Sequence, residues 1–183
     1  MEIPTLETPR LRLRPFEDGD VPAIALLANA REVAAGTLRI PHPYGEQDAR
    51  TFIAHCREFA EKGLSANFAI TRLEDSALIG AVGLEIEQAH RRAELGYWIG
   101  VPYWGRGYAT EAARAVLHFG FGELALYRIL AHHLDFNSAS GKVLQNLGMR
   151  HEGRLRGHVA KWEHHHDVEA YGILREQFFA SRD

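Results

Sequence analysis

The sequence predicts one mixed α/β fold, an α+β arrangement around a mixed sheet, with elements in the order β-α-α-β-β-β-α-β-α-β-β. Three observations support it. Segments with the two-residue alternation of strands lie between segments whose apolar residues recur at helical spacing. Hydrophobic residues make up 46% of the 183 positions, which is enough for a core. No repeat, low-complexity tract or linker divides the chain, so we expect a single domain over residues 1–183.

The first strand and the first helix are predicted close to the start of the chain. Leucine and arginine alternate over Leu11–Arg14, and Pro15 ends that strand. Asp18 or Asp20 is expected to cap a helix that has Pro22 in its first turn. An aspartate suits this position because its carboxylate accepts hydrogen bonds from the free N–H groups of a helix start.

A second helix is predicted over about 48–62. The segment Pro41–Gly45 before it indicates a loop, and Gly63 ends the helix. One face of this helix is apolar, at the spacing i, i+1, i+4, i+7 and i+8. That face carries Phe52, Ile53, Cys56, Phe59 and Ala60.

Three strands are predicted next, over 67–71, 78–86 and 93–100. Short polar links at 74–76 and 88–92 join them. Because a parallel neighbour needs a long crossover and an antiparallel neighbour needs only a turn, these links predict an antiparallel meander.

The second half of the chain alternates helices with strands. A helix is predicted over about 108–121 and a strand over 128–134. Asn137 or Ser138 is expected to cap a further helix, which Gly148 ends. Two final strands are predicted at about 149–159 and 167–174.

Charge and cysteine content argue against several classes of function. The formal net charge is −3, which does not favour binding to nucleic acid or to an anionic membrane. Cys56 is the one cysteine, so no intramolecular disulfide is expected and a reducing cytoplasm is the expected location. The start lacks the basic and apolar regions of a secretory signal, and no apolar run approaches the ~18 residues of a membrane span.

The most informative segment joins a predicted strand to a predicted helix. Pro102 stops the strand near Val101, and Gly105 and Gly107 open a turn that leads directly into the helix. A helix start has free N–H groups and a positive dipole end, and glycines let the backbone approach a ligand closely. Arg106 adds a charged donor. The turn is a candidate phosphate site; a tight connection without a ligand is the alternative.

Two familiar phosphate-binding motifs do not fit this turn. A Rossmann site has the pattern Gly-x-Gly-x-x-Gly, whereas Gly107 is followed by Tyr108, Ala109 and Thr110. A P-loop has the pattern Gly-x-x-x-x-Gly-Lys-Ser/Thr, and the sequence contains no such run.

No metal site is expected, although the chain has 11 histidines. His132 and His133 are adjacent on a predicted strand and so point to opposite faces. No Cys-x-x-Cys, His-Glu-x-x-His or carboxylate-rich loop accompanies them or the run His164–His166.

The segment Trp104-Gly-Arg-Gly-Tyr-Ala109 resembles the pyrophosphate-binding loop of GNAT superfamily N-acetyltransferases, usually written Gln/Arg-x-x-Gly-x-Gly/Ala. Gly107 and Ala109 take its small-residue positions. Trp104 stands where many members have Gln or Arg. This variant looks typical of the RimJ/RimL-like branch, which acetylates the N-termini of ribosomal proteins.

Four further segments extend the resemblance to nearly the whole chain. Ala93–Trp98 and Tyr108–Ala112 are similar to segments of the RimJ/RimL-like branch. Asn137–Met149 is similar to the family's Asn-x-x-Ser helix and the Leu-Gly-Phe/Met that follows it, and Glu7–Arg14 looks like its first strand. The motifs also occur in the family's order.

The resemblance implies a GNAT acyl-CoA N-acyltransferase fold, in which the fourth and fifth predicted strands splay apart around the co-substrate acetyl-CoA. Backbone groups of Ile99 and Val101 are then expected to pair with the pantetheine arm. Asn137 is expected to hydrogen-bond the arm from the other side, although it is also a favoured helix cap. The expected pyrophosphate site is formed by Trp104, Gly105, Arg106, Gly107, Tyr108, Ala109 and Thr110.

The resemblance also implies direct attack of an amine on the thioester in a ternary complex. Glu94 is the candidate base, because the matching segment has a glutamate beside the expected thioester; a paired surface carboxylate is the alternative. Ser140, by its place in Asn-x-x-Ser, is the candidate proton donor to the thiolate, and a capping serine is the alternative. Tyr97, Tyr103 and Tyr108 are other candidate donors, or else core and pocket wall.

The acceptor amine stays open at this point. A protein or peptide α-amine, a small-molecule amine and a non-catalytic acyl-CoA-binding module are the three alternatives, and the branch resemblance favours the first. Removing a proton at pH 7 costs about 1.4 kcal/mol for an α-amine and about 4.6 kcal/mol for a lysine, so an α-amine needs only a modest base. Loops 36–44 and 160–166 are the expected specificity regions. The chain is expected to be a monomer or a homodimer.

Overall fold

The computed structural model describes residues 1–180, and the last three residues of the expected domain lie outside the described part. The strands are β1 (Leu6–Glu7), β2 (Leu11–Arg14), β3 (Ser65–Arg72), β4 (Leu78–Glu87), β5 (Arg92–Ile99), β6 (Arg128–Leu134), β7 (Arg150–Lys161) and β8 (His164–Leu174). The helices are α1 (Val21–Ala28), α2 (Arg31–Gly36), α3 (Glu46–Glu61), α4 (Tyr108–Gly122), α5 (Ser138–Asn146) and α6 (Arg175–Ala180). The strands form one mixed sheet in the order β1-β2-β3-β4-β5-β6-β8-β7.

The predicted series of elements is present, with three additions. Strands β2 and β6 have the predicted bounds, and β3, β4 and β5 form the predicted antiparallel meander. Strand β1 and helices α2 and α6 were not predicted. Each of the three is at most six residues long, which is too short to show a hydrophobic period.

The capping role expected of Asp20 is wrong. Its carboxylate accepts hydrogen bonds from the guanidinium of Arg14, at 2.7 and 2.8 Å, and from the backbone N–H of Glu17 at 2.8 Å. Asp20 is the residue before α1, but its side chain accepts no hydrogen bond from the N–H groups of that helix. A short 3₁₀ helix at Asp18–Asp20 precedes α1 instead, and Asp20 joins this helix to the end of β2.

The turn between β7 and β8 is shorter than expected. The sequence predicted a link over 160–166, whereas β7 runs to Lys161 and β8 begins at His164. Trp162 and Glu163 form a two-residue turn with φ of 47° and 64°. Two-residue hairpins need such positive φ values, which Asn and Gly normally provide. The turn contains neither Asn nor Gly, so the sequence does not predict a two-residue hairpin here.

The sheet carries a hydrophobic cluster on each face. Phe68 and Ala69 are neighbours on β3 and so point to opposite faces. Helix α4 covers the face of Phe68, with Val116 fully buried, while α1 and α3 cover the other face with Ile24 and Ile53. Both faces of the central strands are therefore packed.

The sheet opens between β5 and β6. These two strands are parallel, and they pair only where Arg92–Glu94 meets Arg128–Leu130. Beyond those ranges β5 continues to Ile99 and β6 to Leu134 without a ladder pair between them in the described chain. Strand β6 stays paired to β8 along its whole length. The splay expected of the fourth and fifth predicted strands, which are β5 and β6, is confirmed.

Candidate active site

Polar groups from both faces of the sheet meet at the gap between β5 and β6. Glu94 and Tyr97 are three positions apart on β5, so their side chains point to opposite faces. Glu94 lines a cavity on the α3 face, whereas Tyr97 packs against the hydrophobic cluster under α4. The gap thus has titratable side chains on both faces of the sheet.

The cavity on the α3 face has a volume of about 770 Å³ and is lined by α3 and by strands β3 to β8. Its arginines pair with glutamates: Arg39 with Glu85, Arg92 with Glu87 and Arg128 with Glu152. Glu94 adds a fourth carboxylate to these three guanidinium groups, which leaves one excess negative charge when His132 is neutral. Such a balance favours a cationic ligand.

Glu94 is paired with a histidine at the last rung before the gap. The Nδ1 atom of His132 lies 2.9 Å from Oε1 of Glu94, and both side chains are partly buried. The hydrogen bond with His132 lowers the pKa of the Glu94 carboxyl, while burial opposes this effect and the charge of Arg39 adds to it. Glu94 is therefore a carboxylate at neutral pH. Sequence reasoning missed His132 as its partner.

Tyr97 and Ser140 meet on the α4 side of the gap. The phenol oxygen of Tyr97 lies 2.7 Å from Oγ of Ser140, so β5 is joined to α5 across the opening. Burial raises the pKa of Tyr97 to about 12, and the hydrogen bond with Ser140 opposes that rise. The phenol therefore keeps its proton at neutral pH.

The other two tyrosines considered as proton donors pack against guanidinium groups. Arg72 lies 5.3 Å from the ring centre of Tyr103, and Arg10 lies 4.7 Å from that of Tyr108. Tyr108 is buried and Tyr103 is half-buried. These contacts fit a wall and packing role.

Asn137 joins three parts of the chain. Its Oδ1 accepts a hydrogen bond from the Ser140 N–H at 3.1 Å, so it caps α5 as expected. Its Nδ2 donates to the carbonyl of Gly36 at 2.9 Å, which ties α5 to the end of α2. The contact with Gly36 was not predicted. An amide has two N–H donors and two acceptor lone pairs, so one of each remains for a ligand.

The glycine turn has the backbone geometry that the sequence suggested. Gly105 and Gly107 have φ of 73° and 78°, and Gly107 is the residue before α4. The first helical hydrogen bond runs from the Glu111 N–H to Gly107 O at 3.0 Å, so the N–H groups between them have no intrahelical partner. Within the turn, Trp104, Gly105, Arg106 and Gly107 are exposed, Tyr108 is buried, and Ala109 and Thr110 are half-buried.

An ion pair from the start of the chain holds this turn. The Arg10 side chain contacts the Glu111 carboxylate at 2.6 Å and donates to the Arg106 carbonyl at 2.9 Å. Thr8 donates to the same carboxylate at 2.7 Å. The contacts link positions about 100 residues apart, which is why the sequence alone did not indicate them.

The end of β5 directs backbone groups into the gap. The Gly100 N–H donates to Ile79 O at 2.8 Å, and successive residues of a strand direct their backbone groups to alternate sides, so those of Ile99 point away from β4. The Ile99 carbonyl accepts from Nε1 of Trp104 at 2.6 Å. Val101 lies past the strand, in a 3₁₀ helix, and its carbonyl accepts from the Trp104 N–H at 3.2 Å.

The histidines do not form a metal cluster in residues 1–180. No group of three or more His, Cys, Asp or Glu side chains in that range is arranged to hold a metal ion. His132 and His133 point to opposite faces as predicted: His133 is buried, with Nδ1 2.8 Å from Leu134 O. Among the described helices, none has the length and apolarity needed to cross a bilayer.

Two separating parallel strands and a glycine turn at a helix start are the features that the resemblance to acyl-CoA-dependent N-acyltransferases led us to expect. The profile of the acetyltransferase (GNAT) domain family matches residues 10–150. The chain is 32% identical over 179 residues to the uncharacterized N-acetyltransferase YoaA of Bacillus subtilis strain 168, a match that covers 94% of this chain and 97% of YoaA.

Solved structures agree with this match. An acetyltransferase of the GNAT family from Bacillus anthracis has a TM-score of 0.84 at 28% identity, over 94% of this chain and 99% of that one. RimL, described as a ribosomal L7/L12 alpha-N-protein acetyltransferase in complex with coenzyme A, has a TM-score of 0.86 at 18% identity, over 93% and 98%.

The chain belongs to the GNAT acetyltransferase family. The enzyme class predicted from the sequence, an acetyl-CoA-dependent N-acetyltransferase, is confirmed, and so is the fold. The predicted resemblance to GNAT superfamily N-acetyltransferases is confirmed as well, and RimL, at 18% identity, shares the fold.

Proposed function

We propose that this enzyme transfers an acetyl group from acetyl-CoA to the α-amine of a protein or peptide N-terminus, by direct attack in a ternary complex. The observation that carries the proposal is the gap between β5 and β6, which has Glu94 on one face and the Tyr97–Ser140 pair on the other. The N-terminal acceptor is supported by the likeness to RimL, which is described as acting on an alpha-N-protein position.

Acetyl-CoA fits the gap and the turn. The unpaired stretch of β5 leaves backbone groups free to hydrogen-bond a pantetheine arm at Ile99, with Val101 at the mouth and Asn137 on the opposite side. The free N–H groups at the start of α4 favour the pyrophosphate through hydrogen bonds and the helix dipole. The proposed pyrophosphate site consists of Trp104, Gly105, Arg106, Gly107, Tyr108, Ala109 and Thr110.

Replacing Gly107 by valine is expected to abolish acetyl-CoA binding while the fold is retained. A β-branched residue is strained at φ of 78°, and its side chain fills the space through which the pyrophosphate approaches. Isothermal titration calorimetry with acetyl-CoA measures the effect.

Gly157→Val is the matched control for this variant. Gly157 also has a positive φ, of 56°, with open space around it, but it lies in the β7–β8 hairpin. The control is expected to lose similar backbone stability and to bind acetyl-CoA as the wild type does. Normal affinity in a folded Gly107→Val variant contradicts the pyrophosphate assignment.

Two protons move in the proposed reaction, one at each face. Acetyl-CoA supplies the activated acetyl group as a thioester. The amine loses its proton on the Glu94 face, where a carboxylate is available. The leaving sulfur gains a proton on the other face, where Ser140 offers its hydroxyl and Tyr97 hydrogen-bonds that hydroxyl without ionising.

Ser140→Ala is expected to lower kcat about 10²-fold and to leave the KM for acetyl-CoA almost unchanged, because only the proton donor is removed. Steady-state assays of thiol release measure both constants. Tyr97→Phe keeps the ring and removes only the hydrogen bond to Ser140, so a smaller fall is expected. An unchanged kcat in Ser140→Ala means that the sulfur takes its proton elsewhere.

The cavity next to Glu94 is the proposed acceptor site. Its excess negative charge suits an amine that arrives as a cation. Positioning a reactant supplies about 7–11 kcal/mol, well above the cost of about 1.4 kcal/mol for deprotonating an α-amine at pH 7. A volume of about 770 Å³ also lies within the range of small-molecule pockets, so a small amine is the second candidate.

Thiol release against a panel of amines separates the two acceptors. The panel holds peptides with varied N-termini, the same peptides with a blocked α-amine and a free lysine, free amino acids, polyamines and aminoglycosides. Turnover with the free peptides and not with the blocked ones is the expected result. Turnover with small amines alone contradicts the N-terminal acceptor and leaves the family assignment unchanged.

We also propose a cytoplasmic location and assembly as a monomer or homodimer. Cys56 is buried on the core face of α3, and burial raises the pKa of its thiol to about 12. A buried protonated thiol packs as a small apolar group. A cysteine used only for packing fits a reducing compartment.

A further inference from the structure

His132 lies in the proposed acceptor cavity and has no role in the reaction proposed above. It lies two residues beyond Leu130, the partner of Glu94 in the last rung between β5 and β6. Its ring lines the same cavity as Glu94 and is partly buried. Its Nδ1 contacts Glu94, and its Nε2 has no hydrogen-bond partner among residues 1–180. The free ring nitrogen is therefore available to a ligand in the cavity.

The partner of His132 determines its neutral tautomer. An ionised carboxylate can only accept hydrogen bonds, so the Nδ1 that contacts Glu94 carries the proton. A neutral imidazole has one N–H and one bare nitrogen. The bare nitrogen of His132 is consequently Nε2. A carboxylate that orients an imidazole in this way appears in catalytic triads of unrelated folds, where it fixes the ring and stabilises its charged form.

We propose that Nε2 of His132 is the atom that accepts the proton of the acceptor amine, and that Glu94 positions His132 through Nδ1. The proposal rests on the proposed function and names the proton acceptor within it. His132 is thus the catalytic residue on this face, and Glu94 is the positioning residue.

The proposed step needs no reactant other than acetyl-CoA and the acceptor amine. The lone pair of the amine nitrogen forms the bond to the thioester carbonyl carbon, and the N–H proton passes to Nε2 of His132. The carbon–sulfur bond breaks with its electrons going to sulfur, which takes the hydroxyl proton of Ser140. His132 then releases its proton to solvent and Ser140 regains one from solvent, so the enzyme is restored and the net change is one proton moved from nitrogen to sulfur.

Glu94 is less suited to accept the proton itself. Its hydrogen bond with His132 and the charge of Arg39 stabilise its anionic form and lower its pKa, and a weakly basic carboxylate gives little driving force for proton transfer. Imidazole is the side chain most often used as a general base near neutral pH.

Charged groups surround His132 from several elements. Glu94 faces it from β5, and Glu152 on β7 is close enough for the charge of His132 to lower the pKa of that glutamate. The other charged or titratable side chains that line the cavity are Arg39, His55, Glu85, Glu87, Arg92, Arg128 and Tyr171.

The pH dependence of kcat/KM tests the proposal in the intact enzyme, with a peptide substrate and saturating acetyl-CoA. The wild type loses activity through two protonations on the acidic side, that of the amine and that of His132, so log kcat/KM rises with a slope of two at low pH. His132→Gln is expected to lower kcat about 10²-fold and to reduce this slope to one.

Glu94→Gln is expected to lower kcat about tenfold and to keep the slope of two. The pH at which the profile levels off is expected to be lower than in the wild type.

His151→Gln is the matched control. His151 also pairs with a glutamate, since its Nε2 lies 2.6 Å from Oε2 of Glu169, but it lies on the exposed edge strand β7. Wild-type kcat and slope are expected in this variant. A slope of one in the wild type, or a larger loss in Glu94→Gln than in His132→Gln, overturns the proposal and identifies Glu94 as the direct acceptor.

A measurement that needs no acceptor checks the tautomer. In ¹⁵N-histidine-labelled enzyme, the resonances absent from His132→Gln belong to His132. The expected neutral form has a protonated Nδ1 and a bare Nε2, and a protonated Nε2 in the neutral form overturns the proposal. Absence of turnover with every amine instead contradicts the proposed function itself. Normal turnover that is insensitive to His132→Gln contradicts this inference alone.

Discussion

The separation of β5 from β6 is the constraint on which the rest of the site depends. Pairing stops after Glu94 and Leu130, while β6 remains fully paired to β8 on its other side. A pair of buried parallel strands is normally hydrogen-bonded along its length. Successive strand residues direct their backbone groups to alternate sides, so those of Tyr97 and Ile99 face an opening that a linear ligand can fill, while those of Gly96 and Trp98 face β4. In the proposed complex, the coenzyme arm takes the place of the missing ladder.

Contacts at both ends hold the strands apart. At the end of β5, the indole of Trp104 bonds the Ile99 carbonyl and leads the chain into the glycine turn. At the end of β6, Asn137 caps α5 and bonds the carbonyl of Gly36. The hydrogen bond between Tyr97 and Ser140 spans the opening between these two ends. In the proposed mechanism, these groups, which join the two sides of the gap, also lie next to the reacting atoms.

The sequence predicted what depends on near neighbours and missed what depends on register. The positive φ of Gly107 and the capping role of Asn137 follow from residues within a few positions along the chain. The bond from Asn137 to Gly36 joins positions 101 apart, and the Glu94–His132 pair depends on how two parallel strands align across a helical crossover. The alignment of two parallel strands is not indicated by residues near each other in the sequence. The pairing of His132 with Glu94 could therefore be identified only from the structure.

Amide hydrogen exchange with and without acetyl-CoA tests the central claim most directly. If the coenzyme arm fills the gap, acetyl-CoA slows exchange at Tyr97 and Ile99, whose N–H groups face the gap, and in the turn at 104–110, because free N–H groups there gain partners. Strands β3 and β4, which are paired already, are expected to change little. Unchanged exchange in both segments at saturating acetyl-CoA, or protection confined to other parts of the chain, contradicts the assignment of the gap as the coenzyme site.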